Sequence, residues 1–313
     1  MLHENTGWLV NDTLTCIPGT RTFWHDLLDW IPSLRDMTGG RTDFTILPDK
    51  IETEANKSGP PNFIIRNATF FRPMNIRTKT VSLLQDCYDG ATKKCQLDVA
   101  NSSDTVVFNS GFTYSRYANE VKSKHAIIPL GVDFDFFTPL SKEHCRRQLG
   151  VHRPTMLFIG DSSTYPKGFD IMRQLIKLTT YDFILVMKDS YKSDNERVRV
   201  FNRIGHDQLR TIINACDALL CTSRIETQHL ASIEAAACNI PIITSNIGVA
   251  YNFDDNGALG HKVSTDGDYL KAIQRILSNP NNYKPRDYFY SAGLDKISCK
   301  SKWKRLIEET LNG

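Results

Sequence analysis

The apolar residues in the second half of the chain occur in short continuous runs, separated by longer segments in which apolar residues recur with helical spacing. Runs that are apolar throughout are typical of strands buried on both faces of a parallel sheet. The predicted strands are residues 156–160, 183–187, 198–201, 218–222 and 240–244. The predicted helices are residues 169–178, 207–216, 230–238, 268–277 and 301–311. This alternation predicts a parallel α/β unit with helices on both faces of its sheet.

The first 130 residues show a less regular α/β pattern. Strands are predicted at residues 8–17, 44–47, 63–65, 69–71, 81–84 and 106–108, and a helix at 20–35. Residues 51–61 are polar and contain Pro and Gly, which predicts a mobile loop. Gly19 falls between the first strand and the first helix, where a Rossmann-like unit brings its backbone close to a ligand. An ordinary tight turn explains a single glycine equally well.

Composition limits the possible classes of protein. The chain has 313 residues, of which 41% are hydrophobic and 23% charged, enough for two globular domains of about 150 residues. A net charge of +3 gives no argument for nucleic acid or a membrane as a partner. No stretch reaches the roughly 18 apolar residues of a membrane span and no leader sequence is evident, so a cytoplasmic protein is expected. The eight cysteines form no C-x-x-C pair, which favours reduced thiols over metal ligands or disulfides.

Candidate chemistry concentrates in residues 223–241, which contain Glu226 and Glu234. A predicted strand leads into a polar turn and then a helix, and the first turn of such a helix binds a phosphate through its unpaired N–H groups. Glu226 lies at the turn and Glu234 roughly 10 Å further along the helix axis. This separation is about the reach from the sugar of a nucleotide-sugar to its ribose. The alternative is that Glu226 only complements the helix dipole and Glu234 is a solvated helix residue.

The stretch SRIETQHLASIEAAACNIPII resembles the E-x7-E signature of the retaining, family-4-type glycosyltransferases of the GT-B fold. The positions that match the signature are Ser223, Glu226, Glu234, Ala235, Ala237 and Pro241. The chain departs from the signature at residues 227–229, where the family has a glycine-containing run, and at Asn239, where glycine is usual.

Three further stretches resemble the same family in order. IIPLGVDFDFFTP at residues 127–139 is similar to the passage between the two domains, and LFIGDSSTYPKGFD at 157–170 to the first strand and loop of the donor domain. Residues 204–217 match the passage that leads to the signature. The resemblance implies a GT-B protein with two Rossmann-like domains facing across a cleft. Residues 1–130 are expected to form the acceptor domain, with a C-terminal helix at about 290–313 packing on it, and residues 131–289 the donor domain.

The resemblance also implies roles for individual residues. Lys167 is expected to pair with the donor diphosphate and Glu226 to hold hydroxyls of the transferred sugar, which makes these two the catalytic candidates. The expected donor-binding residues are Glu234 at the ribose, Arg224 and Thr227 near the phosphates, the backbone at His229 and Leu230, Ile204 and Gly205 at the nucleobase, and Gly160. In the first domain the candidates for the acceptor side are Gly19, Gln85 and Asp86. No metal and no cofactor besides the nucleoside-diphosphate sugar is expected, because Lys167 and the helix dipole supply the positive charge that would stabilise the leaving diphosphate.

Two departures bear on activity. Asp161 stands where the family has an arginine, and the family's first-domain histidine has no counterpart, since the alignment places Gln85 and Asp86 there. Three explanations follow. The loop is re-routed and another basic side chain, Arg224 or Lys188, takes over; or the donor is bound differently; or catalysis is weak or lost.

The predicted function is metal-independent transfer of a sugar from a nucleoside diphosphate with retention. The alternatives are a non-catalytic nucleotide-sugar-binding module and a GT-B nucleotide-sugar epimerase. The acceptor stays open among a glycan, a lipid-linked sugar, a protein and a modified DNA base, as does the oligomeric state.

Overall fold

A computed structural model describes residues 7–10, 18–37, 48–68, 72–163, 165–253 and 257–312. The chain divides into two compact units: Met1–Gly131 together with Ile297–Gly313, and Val132–Lys296. Each unit contains one six-stranded sheet. Within the described ranges, no helix is both long enough and apolar enough to cross a membrane.

Strands and helices alternate through both units. The strands are β1 Gly7–Val10, β2 Leu34–Asp36, β3 Phe63–Asn67, β4 Lys79–Leu84, β5 Thr105–Phe108, β6 Lys124–Ile127, β7 Thr155–Gly160, β8 Asp182–Met187, β9 Val198–Asn202, β10 Ala218–Cys221, β11 Ile242–Thr244 and β12 Gly260–Lys262. The helices are α1 Pro18–Trp30, α2 Pro48–Ser58, α3 Gly90–Asn101, α4 Gly111–Tyr117, α5 Lys142–Leu149, α6 Phe169–Leu178, α7 His206–Ala215, α8 Leu230–Ala237, α9 Asp268–Ser278, α10 Pro285–Ser291 and α11 Lys296–Asn312.

Both sheets are parallel throughout. The strand order is β2-β1-β3-β4-β5-β6 in the first unit and β12-β11-β10-β7-β8-β9 in the second. The second order is that of a doubly wound dinucleotide-binding sheet, in which the direction of winding reverses between β7 and β10. Ligands of such sheets bind outside the carboxyl ends of the strands at this reversal. The loops that follow β7 and β10 therefore mark the expected site.

Helices cover both faces of the second sheet, as the pattern of apolar runs predicts. On one face, α7 and α8 bury Ile212, Ile213 and Ile233 against the sheet. On the other face, α6 and α9 bury Leu175 and Ile273. In the first unit, Trp303 of α11 packs against Phe23 of α1, with ring centroids 5.8 Å apart.

Several short elements are not predicted by the sequence pattern. Strand β6 is mostly exposed and contains two polar residues, and β12 is only three residues long. Helices α3, α4, α5 and α10 are also missing from the prediction. Each of these elements is too short or too polar to show a clear period in the sequence.

The loop predicted at residues 51–61 is wrong, because α2 occupies Pro48–Ser58. Ile51 and Ala55, four residues apart, are buried on one side of this otherwise polar helix. Asp49 in its first turn and Lys57 in its last complement the helix dipole. The glycine and prolines that indicated a loop lie beyond its end, at residues 59–61.

The first strand and helix also differ from the prediction. Strand β1 ends at Val10, and the rest of the predicted strand, like the strands predicted at 44–47 and 69–71, lies outside the described residues. The first helix begins at Pro18, a residue that favours the first helical position. Gly19 is therefore in the first turn of α1 and not in a loop between strand and helix. The same helix ends at Trp30, just before Pro32.

Candidate donor site at the strand reversal

Two loops meet at the reversal between β7 and β10. The loop after β7 ends in a short 3-10 turn at Tyr165–Lys167, followed by Gly168 in the left-handed conformation at φ 62°. A β-carbon at Gly168 would overlap the carbonyl group of Thr222, so only glycine fits where the two loops cross. The Thr222 hydroxyl donates to the carbonyl of Lys167 at 3.2 Å. This contact fixes the backbone of Lys167 next to the loop after β10.

An ion pair joins these loops. Lys167 Nζ donates to Glu226 Oε1 at 2.6 Å, and the Ser223 hydroxyl donates to the same oxygen at 2.8 Å. The Glu226 side chain is 11% exposed. Burial raises the pKa of its carboxyl, but the His229 imidazole and the Lys167 ammonium outweigh burial, so the net pKa lies below the usual range. Glu226 is therefore a carboxylate at neutral pH, held by both loops.

His229 immediately precedes α8 with φ 63°, a left-handed conformation that is uncommon for a residue with a β-carbon. Its Nδ1 lies 2.6 Å from the hydroxyl of Ser232. The backbone of this turn is also held from outside, because Val249 N donates to the carbonyl of Gln228 at 2.9 Å. Thr227 lies just before this turn, and Leu230 begins α8. The N–H groups of the first turn of α8 therefore lie at the carboxyl end of β10.

Glu234 lies one turn into α8 and is partly exposed. Burial raises the pKa of its carboxyl to about 7, an effect that the charge of His229 only partly offsets. No hydrogen bond to this carboxyl comes from a residue that the structure describes. The Glu234 carboxyl can therefore accept a hydrogen bond from a ligand hydroxyl, but its burial lowers the stability of the folded protein.

We expect Glu234→Gln to stabilise the protein at pH 8 by up to about 3 kcal/mol, the equivalent of a pKa raised from 4.5 to about 7. The folded-state pKa lies above the unfolded value, so the destabilisation by the wild-type carboxylate grows as the pH rises from 4.5 to 7 and is absent below 4.5. Urea denaturation of both proteins at pH 5 and pH 8 measures the difference. An equal effect at both pH values would contradict this origin.

Arg224 is engaged with a partner that the sequence pattern does not identify. Its guanidinium forms a bidentate pair with Asp170 of α6, with hydrogen bonds of 2.8 and 2.6 Å, and it stacks on the ring of Tyr165 at 4.2 Å. Its backbone N–H donates to Pro166 O at 2.7 Å. The Arg224 charge is thus balanced by Asp170, and the residue ties the loop after β10 to the loop after β7. The expected contact of Arg224 with phosphates stays a prediction.

Asp161 is part of the hydrogen bonding of its own loop. Its Oδ1 accepts from the backbone N–H of Ser163 at 2.8 Å and from the Ser163 hydroxyl at 2.6 Å. Gly160 ends β7, where a β-carbon would overlap the ring of Phe158. Lys188 follows β8, and its backbone N–H donates to the Gly160 carbonyl at 2.9 Å.

Ile204 and Gly205 lie between β9 and α7. Ile204 packs against the core of the second unit, and a β-carbon at Gly205 would meet no neighbouring atom. In the described part of the chain, neither residue is hydrogen-bonded to Lys167 or Glu226. Their expected place beside the nucleobase stays a prediction.

In the first unit, Gln85 and Asp86 follow the carboxyl end of β4. The Gln85 carbonyl accepts from the side chain of Asn109 at 3.2 Å, and the Asp86 carbonyl accepts from the Tyr117 hydroxyl at 3.1 Å. Burial raises the pKa of the Asp86 carboxyl. Asn67, at the end of β3, lies 3.5 Å from Gln85 Nε2. Asn67 and Asn109, at the ends of β3 and β5, are site candidates that sequence reasoning missed, although Asn109 directly follows an apolar run, which is a visible signal.

Other potential sites in the described residues are few. No group of three or more His, Cys, Asp or Glu side chains in the described ranges is arranged to hold a metal ion. None of the seven cysteines that the structure describes forms a disulfide, and five of them are buried.

Comparison with known proteins finds a family similarity within the second unit. Residues 153–279 match the family model "Glycosyl transferases group 1". The chain is 26% identical over 215 residues to a probable sucrose-phosphate synthase of Thermosipho melanesiensis, covering 62% of this chain and 48% of the relative. It is 25% identical over 211 residues to a D-inositol 3-phosphate glycosyltransferase of Mycobacterium bovis, covering 58% and 43%. The chain thus spans about half the length of the curated relatives it matches.

The fold as a whole is similar to that of Anabaena Alr3699/HepE, solved in complex with UDP-glucose. The TM-score is 0.77 at 14% sequence identity, and the match covers 97% of this chain and 99% of the other. At this identity the likeness shows the fold alone. Residues 153–279 of this chain are similar to the glycosyl transferases group 1 family, and the chain has the fold of GT-B glycosyltransferases.

Proposed function

We propose that the protein transfers a sugar from a nucleoside diphosphate to an acceptor, with retention of configuration at the anomeric carbon. The observation that carries this proposal is the Lys167–Glu226 pair at the strand reversal of a glycosyl transferases group 1 domain. A cation and a carboxylate, next to the N–H groups of α8, match the diphosphate and the hydroxylated sugar of such a donor. The Anabaena protein of similar fold is solved with UDP-glucose, which makes UDP-sugars the first donors to test.

Each group has a separate role in this proposal. The α8 N–H groups and the Lys167 ammonium bind the diphosphate, Glu234 accepts hydrogen bonds from the ribose, and Glu226 accepts them from the sugar. When the bond between the anomeric carbon and the phosphate oxygen breaks, the diphosphate gains charge that Lys167 and the helix dipole stabilise. The acceptor hydroxyl then attacks the anomeric carbon on the face that the diphosphate leaves, and its proton passes to a departing phosphate oxygen. No covalent bond to the protein forms.

We further propose that no metal takes part. Lys167 and the first turn of α8 supply positive charge where a divalent cation would otherwise neutralise the leaving diphosphate. We propose a cytoplasmic location, where nucleotide-sugars are available, and the lack of disulfides among the described cysteines is compatible with it.

The rival proposal, a binding module without activity, rests on Asp161 in the place of the family's arginine. A carboxylate 4 Å from a diphosphate would cost about 4 kcal/mol at an effective dielectric of 20. The hydrogen bonds from Ser163 to Asp161 support a loop in which this carboxylate serves the backbone of its own turn. This geometry favours the transferase over the inactive module.

The test is a turnover assay with a panel of UDP-, GDP- and ADP-sugars, each with and without an extract of candidate acceptors. We expect release of nucleoside diphosphate from one donor, faster with acceptor and unchanged by EDTA. Conversion of the donor to an isomeric nucleotide-sugar without acceptor would indicate the epimerase. Binding without turnover would indicate the module, and loss of turnover in EDTA, restored by manganese, would contradict the metal-free site.

A further inference from the structure

His229 occupies a backbone conformation in which a β-carbon is unfavourable. Its φ of 63° is one of three positive values at non-glycine positions in the described residues, and glycine adopts this region without strain. Non-glycine residues in this region are concentrated at functional sites, where the surrounding structure imposes the strain. The backbone turn alone does not explain a histidine at this position, which indicates that its side chain has a role in the site.

The imidazole of His229 is fixed among charged groups of the proposed donor site. Its Nδ1 is 2.6 Å from the Ser232 hydroxyl, which orients the ring. It is hydrogen-bonded to Cys221, and it lies within the electrostatic influence of the carboxylates of Glu226 and Glu234 and of the ammonium of Lys167. Burial acts to lower the pKa of His229, but Cys221 and Glu226 outweigh it, so the net pKa is raised.

Two basic side chains, Lys167 and His229, act on the Glu226 carboxylate. Lys167 Nζ is 2.6 Å from Oε1, and the imidazole of His229, the residue before α8, acts on the same carboxylate. A cation at a helix N-terminus is unfavourable by itself. A diphosphate binding here needs the Lys167 ammonium, and taking Lys167 away would leave Glu226, with 11% of its side chain exposed, without its ion-pair partner.

We propose that His229 is a positioning residue: its imidazolium balances the Glu226 carboxylate, so that Lys167 can move from Glu226 to the diphosphate when the donor binds. This inference rests on the proposed function. Ser232 holds the ring in place, while the flexible stem of Lys167 allows its ammonium to shift. Glu226 then stays ionised and oriented by Ser223 toward the sugar.

The test uses isothermal titration with UDP, GDP and ADP. His229→Asn removes the charge but tolerates the left-handed backbone, and His229→Gly relaxes that backbone. We expect each variant to bind the nucleoside diphosphate about tenfold more weakly, the size of a single favourable charge interaction. Adding Glu226→Gln to either variant should restore affinity to within about twofold of Glu226→Gln alone, because Lys167 is then no longer held.

The pH dependence supplies a second readout. Wild-type affinity should fall as the pH rises through the His229 pKa, and Glu226→Gln should abolish this fall. Protonation of Glu234 has the opposite effect on affinity, because a falling pH removes the carboxylate proposed to bind the ribose. If the His229 variants bind nucleoside diphosphates as tightly as the wild type, or if Glu226→Gln does not restore their affinity, this inference is overturned while the proposed function stands. If the wild type binds none of the three nucleotides, the proposed function itself fails.

Discussion

Lys167→Ala is expected to weaken the binding of nucleoside diphosphates and their sugars ten- to a hundredfold. Charge-assisted hydrogen bonds contribute about 1.5–3 kcal/mol, which corresponds to this range of affinity. The ammonium of Lys167 stands at the crossing of the two loops, 2.6 Å from Glu226, where a donor diphosphate would meet the first turn of α8. Isothermal titration of wild type and variant measures the change.

The matched control is Lys177→Ala, which removes an exposed lysine from the last turn of α6. It changes the net charge by the same amount but lies at the other end of the helix that follows Lys167. We expect its affinity to stay within twofold of wild type. Equal losses in both variants would show that long-range charge, and not a contact of Lys167, governs binding.

Gly168→Ala is expected to destabilise the second unit by about 3 kcal/mol or more. Alanine at this position would have to adopt the left-handed backbone conformation. Its β-carbon would also overlap the carbonyl of Thr222, which is fixed at the end of β10. The loops cannot separate without moving Lys167 from Glu226. For a unit of this size we expect the melting temperature to fall by about 6–12 °C, together with a loss of nucleotide binding.

Gly150→Ala is the control for backbone strain. Gly150 lies in the same unit with the same φ of 62°, but its β-carbon would meet only the flexible side chain of Arg199, at 3.5 Å. We expect a loss of about 1 kcal/mol, or roughly 2–4 °C. If thermal unfolding shows equal effects at both glycines, the close approach of the two loops contributes nothing beyond strain.

The sequence predicts the second unit well because its strands are continuous apolar runs. Such runs arise only where both faces of a strand are covered, so β7, β8 and β10 are visible without a structure. The polar helix α2 is missed because only Ile51 and Ala55 mark its buried face. The exposed edge strand β6 lacks any apolar period for a similar reason.

Within the site, the sequence indicates residue types but not pairings. Lys167 and Glu226 are 59 positions apart, and only the parallel sheet brings them together. The pairing of Arg224 with Asp170 is invisible in the sequence for the same reason. The left-handed conformation of His229 is also not visible, because the sequence shows only that a histidine replaces a family glycine. Which charged side chains neutralise one another can therefore be read only from the three-dimensional structure.

A thermal-shift screen over nucleoside diphosphates tests the central claim, a donor site at the β7–β10 reversal, most directly. A ligand at 100-fold its dissociation constant stabilises the protein by about 2.7 kcal/mol, so the melting temperature should rise by several degrees for one base. In Lys167→Ala, which binds ten- to a hundredfold more weakly, the same ligand concentration should stabilise by only about 0.4–1.4 kcal/mol, so the shift should fall to about half or less. If no nucleoside diphosphate and no nucleotide-sugar raises the melting temperature of the wild type, the donor site does not exist and the proposed transferase is wrong.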